Sequence, residues 1–134
     1  MGDLMMKWLL LFIGLVIAII SVYAIFSNGF SNIKSLKVQE FDRGSNKYNK
    51  GKVIKDSSSL KIFTKILNRA NHETNAHYEM AFKEDFKVTI TYEDDTKEDL
   101  FVWKNSGFII RYPKNDVFRI KNESQRKEFL KVLN

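Results

Sequence analysis

Both histidines of the chain fall within one heptapeptide, NHETNAH at 71–77, with Glu73 between them and Glu79 just beyond. Imidazole and carboxylate together are the donor set of a zinc site. A zinc-protease helix spaces its histidines four apart, so that both rings face one ion. Here they are five apart, which on a regular helix turns the second ring about 140° from the first. The neighbours Asn68, Asn71 and Asn75 favour loops. We therefore read two loop histidines, and keep as the alternative a metal-assisted enzyme using His72 and His77 with Glu73 or Glu79. The acidic run Glu93, Asp94, Asp95, Glu98, Asp99 invites a calcium reading. An EF-hand loop begun at Asp94 would need glycine sixth and glutamate twelfth, where the chain has Asp99 and Asn105. A solvated turn fits better. Ser57–Ser59 lack the glycine frame of a hydrolase nucleophile elbow, and no Gly-rich phosphate loop is present. The sequence thus nominates no catalytic residue, no cofactor and no metal ligand set. With no cysteine in the chain, thiol catalysis, disulfides and a lipid-bearing cysteine are excluded.

The remaining chemistry is charge. Setting aside Lys7 and Asp3, which precede the longest apolar run, the chain holds 21 basic against 15 acidic residues. Lys34, Lys37, Arg43, Lys47, Lys50, Lys52 and Lys55 are opposed locally only by Glu40 and Asp42. Such a cluster is a candidate contact for an anionic surface, lipid headgroups above all, although lysines more often simply solvate a surface. Nucleic acid is not expected as a partner, because of what precedes the cluster. Phe101, Trp103 and Phe108 suit either a binding face or a strand's buried side; we read them as core.

What precedes the cluster is WLLLFIGLVIAIISVYAIF, from Trp8 to Phe26, with no charge between Lys7 and Lys34. A helix of that length rises about 28 Å, close to the hydrocarbon thickness of a bilayer. A signal peptide would have a shorter apolar stretch and small residues at its cut. Val22-Tyr23-Ala24 is a poor site of that kind, so a retained single-pass anchor over residues 8–26 is expected, following a tail of residues 1–7. Lys34, Lys37 and Arg43 on the far side favour a cytoplasmic domain by the positive-inside rule. The short amino tail instead resembles an uncleaved signal, and we place the soluble part outside the cytoplasm.

Residues 27–134 then form one soluble domain. Ile33–Phe41 and Lys52–Asp56 read as strands flanking a polar loop or wide hairpin connection, RGSNKYNKGK. Leu60, Phe63, Ile66, Leu67 and Ala70 recur at helical spacing over about 57–70. From Phe86 to Tyr92 the period becomes two. Further strands follow at Leu100–Trp103, Phe108–Tyr112 and Val117–Ile120, separated by short polar turns. Asn122 and Gln125 have capping-box spacing before a last helix from Glu123. This predicts an α+β fold: a transmembrane helix, then a two-layer domain with an antiparallel sheet of about five or six strands and two helices.

Four segments, SLKIFTKILNRA, DFKVTITYEDD, LFVWK and SQRKEFLKVL, occur in this order across residues 54–133. In this the chain resembles a group of small, uncharacterised membrane-anchored or lipoprotein-like domains of low-GC Gram-positive bacteria. It departs from them in lacking the lipid-bearing cysteine and in having FKVTI where a Pro-Asp-Tyr start is common. The resemblance implies an anchored extracytoplasmic domain and carries over no catalytic residue. The expected role is a membrane-tethered, non-enzymatic interaction module at the cell envelope, with a protein partner there; an immunity or accessory protein guarding the producer's own membrane is a variant of that role.

Overall fold

A computed structural model describes residues 2–26, 28–73 and 83–134. The order is α1 (Gly2–Phe26), β1 (Ile33–Asp42), β2 (Lys47–Tyr48), β3 (Lys52–Ile54), α2 (Ser57–Arg69), β4 (Asn71–Glu73), β5 (Phe86–Tyr92), β6 (Lys97–Trp103), β7 (Phe108–Tyr112), β8 (Asp116–Arg119) and α3 (Glu123–Leu133). Among the described residues one helix, α1, is long and apolar enough over Gly2–Ile20 to cross a membrane, and none of that stretch is buried against the domain. Leucine, isoleucine and phenylalanine side chains stand open around it.

Among the described residues, eight strands form one antiparallel sheet in the order β2-β1-β5-β6-β7-β8-β4, with β3 also paired to β1. This is more than the expected five or six. The two additions are β2, two residues inside the polar loop, and β4, the Asn71–Glu73 segment that opens the histidine heptapeptide. Two or three residues are too few to display a period of two, and β4 forms only because β8 supplies its partner, with His72 opposite Phe118. β3 is the hairpin partner of β1 that its pattern suggested, with Leu36 opposite Ile54.

Register aligns the core. Val38 lies opposite Val88, Val88 opposite Leu100, Val102 opposite Ile109, and Ile109 opposite Phe118. Because side chains alternate across a strand, these residues share the sheet's inner face, and all are buried. Phe63, Ile66 and Leu67 of α2 and Phe129 and Leu133 of α3 join them in one cluster. Phe63 and Phe129 stack with centroids 5.3 Å apart, which locks the two helices to each other. Each such side chain contributes about 1.5–3 kcal/mol on burial. The Asp56 carboxylate accepts from the Ser59 amide and Asn122 accepts from the Gln125 amide, so both helices start on capping side chains.

Gly107 (φ +73°) turns β6 into β7, and a Cβ there would stand 2.7 Å from the Ile120 carbonyl oxygen. Only glycine meets both demands. The Tyr112–Pro113 peptide between β7 and β8 is cis.

Candidate functional site

The first region of interest lies where the chain leaves α1. The Asn28 side chain donates to the carbonyls of Leu67 and Ala70, at 2.7 and 2.8 Å, capping the end of α2, where the Leu67 carbonyl also accepts from the Ala70 amide. Asn68 answers with both halves of its amide: its nitrogen donates to the Phe30 carbonyl and its oxygen accepts from the Phe30 amide. Residues 28–30 are thereby clamped to α2. Phe30 is buried, edge-on to Phe118 at 5.8 Å.

Beside this clamp sits an ion pair inside the fold. Arg111 Nε donates to Glu98 Oε2 at 2.9 Å, and each side chain is only 9% exposed. The guanidinium also lies 4.3 Å from the Phe30 ring centre and donates to the Asn28 carbonyl. The Tyr92 hydroxyl donates to the other Glu98 oxygen. Burial, and then the Glu98 carboxylate, push the Tyr92 phenol well above its ordinary value. A paired and hydrogen-bonded group of this kind positions chain segments; it offers no open position for a reactant.

Alongside, one flank of α2 faces the start of β1 across an open groove of about 830 Å3. Ile33 and Leu60 supply apolar surface, and Lys34, Lys55, Lys61, Lys65 and Arg69 supply charge against Glu93 alone. Of the seven cations singled out from sequence, Lys34 and Lys55 line this groove and the other five do not. Lys37 stands on the outer sheet face, while Lys47, Lys50 and Lys52 lie on or beside the β2–β3 edge. Arg43 is occupied internally, bonding Asp85 Oδ1 at 3.0 Å and the Lys83 carbonyl at 2.9 Å. Lys61, Lys65 and Arg69 escaped the sequence reading because they are separated by apolar core residues; helical spacing of 61, 65 and 69 was the available signal.

The second region is the outer sheet face. Phe101 lies opposite Ile110, Trp103 opposite Phe108, and Asp99 opposite Tyr112, all pointing away from the buried side. These aromatic residues are not core, as their position on strands suggested. Over residues 100–103 of β6 and 108–110 of β7 both inner and outer residues are apolar, so no alternation marked which side was buried. Phe101, Trp103, Phe108 and Ile110 are half-buried, and Tyr112 is 53% exposed. Phe101 and Tyr112 meet edge to face at 6.3 Å. The Arg119 guanidinium lies 5.0 Å from the Phe108 ring, with its Nε buried and lacking a hydrogen-bond partner among the described residues.

His72 is on β4, its ring 5.2 Å from Phe118 and its Nε2 3.6 Å from Asp116 Oδ1. His77 and Glu79 lie outside the described residues. Among the described residues, no three His, Asp or Glu side chains gather closely enough to hold a metal. The turn at Glu93–Thr96 is local: Asp94 accepts from the Thr96 amide and hydroxyl, which hold its carboxyl below the usual range.

An apolar helix followed by a small α+β domain with a charged groove and an aromatic face defines a class of small domain carried behind an apolar segment. Residues 31–134 match the YhfM protein family, and the chain belongs to that family. The match begins after α1 and covers the domain, over a longer span than the 54–133 carrying the resemblance. No curated protein and no solved structure matches the chain.

Proposed function

We propose that this protein is a single-pass, membrane-tethered binding module of the bacterial cell envelope, acting by contact and not by catalysis. In this reading α1 remains in the bilayer, the domain lies outside the cytoplasm, and the outer sheet face receives a protein partner. The observation that carries it is that residues 100–103 of β6 and 108–110 of β7 are apolar on both faces. A sheet with helices on one side ordinarily presents polar residues on the other, whereas here Phe101, Trp103, Phe108, Ile110 and Tyr112 lie together. Contiguous apolar surface of this kind marks interaction sites, and aromatic residues beside an arginine are what such sites favour.

Photo-crosslinking tests the reading. A benzophenone side chain placed at Phe101 or Ile110 in the full chain yields a discrete adduct in intact envelopes. The adduct is lost on adding Trp103→Ser and is absent when the probe sits at Lys114. Equal labelling at Lys114, or no adduct at either face position, would contradict it.

A further inference from the structure

We propose that the groove between α2 and the start of β1 is a seat for the headgroup of a single anionic phospholipid. Its shape and charge both point there. An apolar floor at Ile33 and Leu60 accepts glycerol and upper acyl carbons, while Lys55, Lys61, Lys65 and Arg69 surround a phosphodiester. Lys34 pairs with Asp95 at 3.1 Å, but both are exposed, and a surface pair of this kind is readily exchanged for an incoming anion. Five cations against one carboxylate line the groove, and its volume of about 830 Å3 lies within the ordinary range of small-ligand sites.

Position supplies the second argument. Asn32 at the groove lies six positions beyond Phe26, the last residue of α1, a reach of at most about 22 Å. The Asn28 and Asn68 hydrogen bonds fix residues 28–30 against the same helix that lines the groove. A helix held in a bilayer therefore delivers the groove to headgroup depth. The proposal relies on the tether only for the source of its lipid; the seat itself is measurable without a bilayer.

The experiment uses the full chain in a nonionic detergent, titrated with dihexanoyl phosphatidylglycerol, dihexanoyl phosphatidylcholine or inorganic phosphate. Amide NMR signals of Thr64, Asn68 and Asn32 report the groove. Phosphatidylglycerol shifts them saturably and the other two probes do not. Lys61→Glu with Lys65→Glu weakens the binding on the order of tenfold. Lys47→Glu with Lys50→Glu, carrying the same charge change at the far edge, leaves it unchanged, and unaltered signals elsewhere show that both variants fold. Equal response to phosphatidylcholine, saturation by phosphate alone, equal loss in both variants, or no saturable shift would overturn the proposal.

Discussion

At the residue scale, two buried polar devices govern the domain. Asn68 satisfies both backbone groups of Phe30. Asn68→Leu strands a buried amide and a buried carbonyl, and each costs about 1–3 kcal/mol; denaturant unfolding of the full chain in detergent should show a loss of that order or more. Arg111 and Glu98 form the second device. Glu98→Gln or Arg111→Met alone leaves one charged group buried without its partner, at about 3–5 kcal/mol. The double variant Glu98→Leu with Arg111→Met should cost less than the sum of its parts, which a double-mutant cycle measures. Tyr92 adds a pH dependence with a definite sign. Its folded-state pKa is raised above the ordinary 10, so its contribution is complete below pH 10 and is lost as the pH rises beyond it. Stability should fall on the alkaline side, and Tyr92→Phe should flatten that slope while weakening the domain at neutral pH. None of these partners was legible in the sequence. Glu98 read as part of a solvated acidic turn, and nothing in the sequence singled out Arg111. Their pairing follows from β6 and β7 lying side by side with residue 98 one step beyond the Asp99–Tyr112 pair, which only the register reveals.

At the element scale, legibility followed the length of the periodic run. Phe86–Tyr92 alternates over seven residues, and α2 repeats its apolar positions over three turns; both elements form as their patterns dictate. β2 and β4 are too short to carry a pattern and depend on neighbours already in place. The β6–β7 pair fails differently. Its strands were legible but its sides were not, since LFVW and FII are apolar on both faces. Substitution separates the sides. Phe63→Ala, inside the helix-covered core, should cost about 3–5 kcal/mol. Phe101→Thr, on the outer face, removes a half-buried ring but keeps a strand-favouring residue, and should cost about 1 kcal/mol. Comparable losses would place Phe101 in the core after all. Gly107→Ala, by contrast, combines a left-handed φ with a 2.7 Å approach to the Ile120 carbonyl oxygen, and should cost about 1–3 kcal/mol or more in the same assay.

At the scale of the whole molecule, the account joins an apolar helix, a clamp of two asparagines and a domain with two distinct surfaces. The helix was plain from its uninterrupted apolar run, and the domain from its alternating strands. The clamp and the groove were not, because they bring residues 28–34 against residues 55–69 and no local pattern encodes that meeting. The envelope role proposed for the aromatic face, and the source of lipid for the groove, assume that α1 stays with the domain and stays in lipid. Alkaline carbonate extraction of producing cells, followed by intact-mass measurement of the extracted and secreted fractions, tests this most directly. The account predicts the full-length chain, residues 2–20 included, in the carbonate-resistant membrane pellet. A species shortened behind Ala24 and free in the medium would contradict it.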